Sequence, residues 1–402
     1  MRKLNKTAAC GILAAALAAG TLSGCSKAID GTKTVATVGD EKVTLGLASY
    51  MIRDQQAQTT SYYNMLMSQY GVNGSASNVW DQKGDDGKTV GESSKDGVMT
   101  TINQLYVLKA HAADYDVTIT DDEEKAIKEA AAEFIKDNDE KTLKKLAVSE
   151  DDIVTYLELV TIRSKMRDPM TADVDTEVSA NEKDQTRVTI VKVSTEGTEK
   201  DDDGKTIDLT DEEKAQKKEL AQQVLDKVKA SDDVANADMD ALAKEVDDSL
   251  SATTPAFTTA GSTDDTLDDT VQDAALQLKD GEVADKVIEG DDGYYVVRLD
   301  KMLDEDATAN KEETVISQRK SDLYDSTLED WVKEDKIKVK DKVWDQIKVT
   351  DSVAFEYKST DSSDSSSDAT DTKDTSEQDN SASDTATQDS SEPDSAAEDS
   401  AE

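Results

Sequence analysis

The 402-residue sequence predicts an α+β protein whose first part is mostly helical, and three observations carry that reading. Between Thr44 and Pro169 apolar residues recur at three-and-four spacing, the period of amphipathic helices. Between 184 and 303 two alternating runs, Val188–Val193 and Tyr294–Leu299, bracket three short helical patterns. Apolar residues make up 36% of the chain and aromatics 4%, low for a chain that is globular throughout, so some of it has too little to bury.

Charge and rare residues narrow the chemistry. Lys and Arg number 46 against 89 Asp and Glu, a formal charge of −43. A phosphate backbone is held by clustered cations, so a nucleic-acid partner is excluded. Cys10, Cys25 and His111 are the whole complement of thiols and imidazoles. Zinc sites and Ser-His-Asp or Cys-His catalysis need more than these supply, and no cofactor or metal is expected.

The chain opens with Arg2, Lys3 and Lys6, then an apolar stretch from Ala8 to Leu22 that is short for a membrane span, the pattern of a signal peptide over residues 1–24. Its end, Leu22-Ser23-Gly24-Cys25, resembles the lipobox of bacterial lipoproteins. That resemblance implies a mature N-terminus at Cys25, diacylated through its sulfur, and an extracytoplasmic protein tethered to the cell membrane.

Elements then follow in order. Val35–Val43 reads as a hairpin turning at Gly39-Asp40, and Thr44 as the N-cap of a helix running toward Tyr70 and ended by Gly71. Residues 72–92 read as a loop, and helix returns around Val98, Ile102, Leu105 and Leu108. Thr120 and Glu123 make a capping box for a helix to about Asn138, and Ser149 caps a fourth through Ile153, Leu157 and Val160. After Pro169 the order becomes β-α-α-α-β, a compact α+β unit. A long helix from Glu312 to Trp331 and strand-like pieces at Lys336–Lys340 and Trp344–Val349 complete the body. Residues 359–402 hold 14 acidic residues, 19 Ser or Thr and one Lys, which predicts a disordered acidic tail.

Several of these stretches together resemble the extracytoplasmic parvulin-type foldases, the PrsA and SurA group. Val35-Ala-Thr-Val-Gly-Asp-Glu-Lys-Val-Thr44 is similar to the opening of their chaperone domain. Leu242-Ala-Lys-Glu245, Ala274–Glu282 and Gly293-Tyr-Tyr-Val-Val297 are similar to stretches of a parvulin domain. The resemblance implies a helical SurA-N-like chaperone domain over 25–183, completed by a C-terminal helix and strands over 304–358, with a parvulin-like α+β domain inserted at 184–303. It implies unfolded or newly exported polypeptides as partners and leaves a homodimer open.

The same resemblance carries the family's proline groove onto this chain. The two groove histidines fall on Thr189 and Tyr295, the Cys or Asp position on Asp248 or Ser249, and the apolar wall on Phe257 and Val271. Both histidines are absent, and Ala252–Ala256 replaces the family's glycine turn, so the expected reading is a chaperone with a degenerate isomerase domain and no catalytic residues. An active peptidylprolyl isomerase is the alternative, and a surface scaffold or solute-binding lipoprotein a third.

Three further features have two readings each. Tyr62, Tyr63, Met65, Met67 and Tyr70 suit adaptable binding of unfolded chains, and their spacing serves a core equally well. Glu199–Gly204 alternates acids as a calcium loop does, but Thr210 stands where a bidentate Glu is required. His111, with no second ligand, reads as a packed or surface side chain.

Overall fold

The computed structural model describes residues 17–19, 29–69, 79–197, 200, 206–262, 267–352 and 355–357. Cys25, Tyr70, the acid run at 201–205 and the 359–402 tail lie outside the described residues.

Three short strands come first, β1 (Leu17–Ala19), β2 (Thr34–Val38) and β3 (Glu41–Thr44). Gly39 turns β2 into β3 at φ 53°, a left-handed conformation that glycine adopts without a Cβ clash. Helices follow: α1 (Leu45–Gln69), α2 (Val90–His111), α3 (Asp121–Asp137), α4 (Glu140–Leu146) and α5 (Glu150–Met170). The Thr44 hydroxyl accepts from the Leu47 amide at 3.1 Å, starting α1 as expected. The boxes at Thr120–Glu123 and Ser149–Asp152 start α3 and α5.

Two expectations for this stretch are corrected. α2 begins at Val90, inside the expected loop, because Thr89 and Glu92 form a reciprocal capping box that satisfies the first amides. α4 is a fifth helix where four were expected, capped by the Asp139 carboxylate on the Thr142 amide and ended by Ala147 at φ 56°. α5 runs through Pro169 and stops one residue later, since a proline in the last turn removes a single hydrogen bond.

The α+β unit comprises α6 (Ala180–Lys183), β4 (Gln185–Ser194), α7 (Asp211–Lys229), α8 (Met239–Lys244), β5 (Ala252–Thr253), β6 (Ala256–Thr258), α9 (Asp269–Ala275), β7 (Ile288–Glu289) and β8 (Gly293–Lys301). Its sheet has the order β5-β4-β8-β7, with β6 also on β4. Pro255 splits β5 from β6, so the replaced turn still pairs with β4 on both sides.

The chain closes with α10 (Glu305–Glu334), β9 (Lys338–Val339), α11 (Asp341–Trp344) and β10 (Phe355–Tyr357). The long helix is longer than the sequence suggested because Asp304 caps it. Trp344–Val349, expected as a strand, is the end of a helical turn and an irregular stretch. β9 joins β2 with Ala36 opposite Val339, giving a sheet β3-β2-β9. β10 pairs with β1.

Two regions of apolar burial result. Leu47, Ile52, Ile102, Leu105, Leu108, Phe134, Ile153 and Leu157 share a core with Tyr324, Leu328, Trp344, Ile347 and Phe355 from the far end of the chain. Residues of the α+β unit bury on the two faces of their own sheet. The ends of that unit meet, the Asp304 amide donating to the Gln185 carbonyl at 2.8 Å.

Candidate functional site

β4 and β8 run antiparallel, with Val188 opposite Leu299 and Ser194 opposite Gly293. Side chains alternate across a strand, so each strand feeds two faces. On one face Val188, Ile190, Tyr295, Val297 and Leu299 pack with Phe257, Val271, Ala275 and Ile288. On the other, Val191, Val193, Tyr294 and Val296 lie against Val224, Leu225 and Val228 of α7 and Met239 and Ala243 of α8.

Tyr295, Phe257 and Val271 are therefore brought together as the resemblance implied. They are buried: Phe257 and Val271 are 0% exposed and Tyr295 4%. Thr189 is not with them. It stands opposite Arg298 on the α7–α8 side, donates to the Asp300 carboxylate at 2.6 Å and accepts from the Arg298 guanidinium at 3.3 Å. Arg298 also bonds Asp300 and the carbonyls of Val234 and Ala237. The β4 residues that share the face of Tyr295 are Val188 and Ile190, so the two positions that the resemblance pairs, Thr189 and Tyr295, lie on opposite faces of the sheet. Asp248 and Ser249 are exposed in the turn after α8, with the Ser249 hydroxyl donating to Asp247 at 2.6 Å.

The Tyr295 phenol is pushed far above its ordinary range, by burial first and then by its hydrogen bond to Asp292. Asp292 is held low by Lys192, whose ammonium bonds it, and by the Tyr295 hydroxyl. The group is thus a protonated phenol whose O–H donates a hydrogen bond to an ionised carboxylate. Among the described residues no cluster of three His, Cys, Asp or Glu is placed to hold a metal ion, and no helix is long and apolar enough to cross a membrane. Thr210, the last position of the acid run, is an N-cap accepting from the Glu213 amide.

A second candidate site is on α1. Its first turns are buried through Arg53, whereas Tyr62 is 57% exposed, Met65 64% and Met67 38%. Tyr63 leans edge-on against Tyr62, ring centroids 6.0 Å apart. Tyr62, Met65 and Met67 thus stand outside the core, whereas Tyr63 is half-buried. His111 is a packed side chain, stacked on Trp331.

The family model of the PPIC-type PPIase domain matches residues 199–315. This segment is a parvulin domain. β4 lies before the matched stretch and is paired with β8 inside the same sheet. Solved structures similar to the chain include foldase protein PrsA from Lactococcus lactis, 16% identical, covering 78% of this chain and 96% of its own, with a TM-score of 0.30. Peptidylprolyl isomerase PrsA from Bacillus cereus is 17% identical with the same coverages and a TM-score of 0.29. A SurA-like chaperone of Campylobacter jejuni is 13% identical, covering 77% of this chain and 100% of its own, with a TM-score of 0.20. No curated protein matches the sequence.

Sequence reasoning missed the Thr189–Arg298–Asp300 network. Its signal was an Arg at an inward position of an otherwise apolar alternation, which demands a buried acid partner.

Proposed function

We propose that the chain is an extracytoplasmic chaperone for newly exported polypeptides, tethered by lipid on Cys25, whose parvulin domain is a degenerate isomerase. The observation that carries this reading is the exposed Tyr62, Met65 and Met67 on α1. Aromatic and thioether side chains held in water on a strongly acidic body offer adaptable apolar contact while repulsion keeps complexes soluble. The degenerate reading is supported by the absence of histidine at Thr189 and Tyr295 and by the full burial of Phe257 and Val271.

Changing Tyr62, Met65 and Met67 together to Ser tests it. The side chains are exposed, so the unfolding midpoint should hold while suppression of client aggregation drops several-fold. Full suppression by the triple variant would remove the patch from the mechanism. The alternative, an active peptidylprolyl isomerase, is favoured by the family match itself, and a proline-isomerisation assay on the same protein decides between them.

A further inference from the structure

β1 belongs to the apolar leader, yet it is seated in the core of the helical body. Leu17 is 0% exposed, and Leu17 and Ala19 lie antiparallel to Tyr357 and Phe355 of β10. The Leu17 amide donates to the Oδ1 of Asn138 at 2.9 Å. Asn138 is 5% exposed, and its Nδ2 is spent on the Phe134 carbonyl at 2.8 Å, so its carboxamide is fixed with the oxygen facing the strand. From the other side α1 supports β10: the Arg53 guanidinium lies 4.9 Å from the Phe355 ring and the Tyr357 hydroxyl donates to Asp54 at 2.9 Å.

On the lipobox reading, processing at Cys25 removes every atom of β1. With β1 gone, the hollow now filled by Leu17, the Asn138 carboxamide oxygen that accepts from its amide, and the β10 edge that now pairs with β1 would all lose their occupant. Unpaired polar groups and an apolar hollow are satisfied together by one kind of occupant, an extended peptide with an apolar side chain at one position. We propose that leader removal opens this slot and that an extended apolar segment of an unfolded client takes the place of Leu17–Ala19, adding a strand to β10. The proposal rests on the chaperone reading and names the place where clients are held. The same helix, α1, carries the slot's support at Arg53 and Asp54 and the exposed Tyr62 and Met65 further along, so one client could engage both.

The test uses the processed chain and a fluorescent, lysine-tagged peptide of residues 14–20, read by anisotropy. Saturable binding is expected, weakened tenfold or more when the Leu17 nitrogen of the peptide is methylated, a change that leaves the protein untouched. The unprocessed chain, its slot filled, should bind the peptide far less, and a denatured client should displace it from the processed chain. Absent binding, equal binding of the methylated peptide, or failure of the client to displace the peptide overturns the proposal. Aggregation suppression by the same processed chain is scored alongside. If it persists while displacement fails, the slot is wrong and the chaperone reading stands; if it is absent, that reading falls on its own measurement.

Discussion

The imidazole of His111 stacks on the indole of Trp331, ring centroids 4.1 Å apart and planes 10° from parallel. Tyr115 meets the same indole edge-on at 5.9 Å. The last turn of α2 is thereby clamped to α10 across the sequence length that holds the parvulin domain. Trp331→Ala removes both contacts at a half-buried site, and the helical body should lose about 2 kcal/mol, read from its urea midpoint. An unchanged midpoint would mean that α10 is held elsewhere.

The shared core makes a fragment experiment informative. Residues 184–303 expressed alone should melt cooperatively, since their apolar residues bury against one another. Residues 25–183 should aggregate, because Leu328, Trp344, Ile347 and Phe355 are missing from their core. A well-behaved 25–183 fragment refutes the completion of that domain by the C-terminal segment.

Phe257 separates folding from catalysis. Its ring is fully buried, so Phe257→Ala should cost the parvulin domain roughly 3–5 kcal/mol. On the degenerate reading the wild-type chain barely accelerates cis-to-trans proline isomerisation, and the variant suppresses aggregation nearly as well as wild type. Ordinary parvulin rates in the wild type, lost in Phe257→Ala, would establish the isomerase instead.

Acid should destabilise the fold through its caps and ion pairs. Glu92 and Glu213 are held below the ordinary carboxylate range by backbone amides, Glu182 by the Ser179 hydroxyl first, and Asp304 by Arg187 first. A depressed folded-state pKa gives stability that is complete above the unfolded value and lost as pH falls through the folded one. Asp54, raised mainly by burial, has the opposite sign and offsets part of this loss. In 0.5 M NaCl, which screens the net charge, the urea midpoint should stay level from pH 7 to about 5 and decline below about 4. A midpoint that rises on acidification would contradict the assignment.

Lipidation is tested at the leader's end. Cys25→Ala should release the protein or leave it with residues 1–24 attached, because a thioether lipid is the anchor the sequence provides. Normal processing with full membrane retention would dismiss the lipobox.

Much of the fold is written locally. Thr120 with Glu123 and Ser149 with Asp152 are four-residue signals that start helices irrespective of what packs on them, and the structure starts helices there. The equally local box at Thr89 and Glu92 was hidden because its neighbours are Gly, Asp and Lys, a loop composition. Trp344–Val349 was misread as strand because an apolar alternation records burial, and burial here comes from seating against α2, where the Val349 carbonyl lies so near Gly91 that a side chain there would collide with it. Of the candidate site, Phe257, Val271 and Tyr295 share one sheet face and Thr189 lies on the other, an arrangement set by strand register, which a short motif does not encode. Asn138 and Leu17, 121 residues apart, share no local signal at all.

The hydrogen bond between Asp304 and Gln185 bears on how this molecule is born. Strand β2 waits for Val339, so an emerging chain must keep its first sheet and helices incomplete until nearly the whole body has been made. A parvulin domain that folds on arrival brings its two ends side by side, shrinking the remaining tether by some 120 residues and easing the closure by about 0.4 kcal/mol. The larger gain is one of timing: a finished unit waits beside an unfinished one whose apolar stripes are still bare. While it folds, the protein passes through the state that its proposed clients are in.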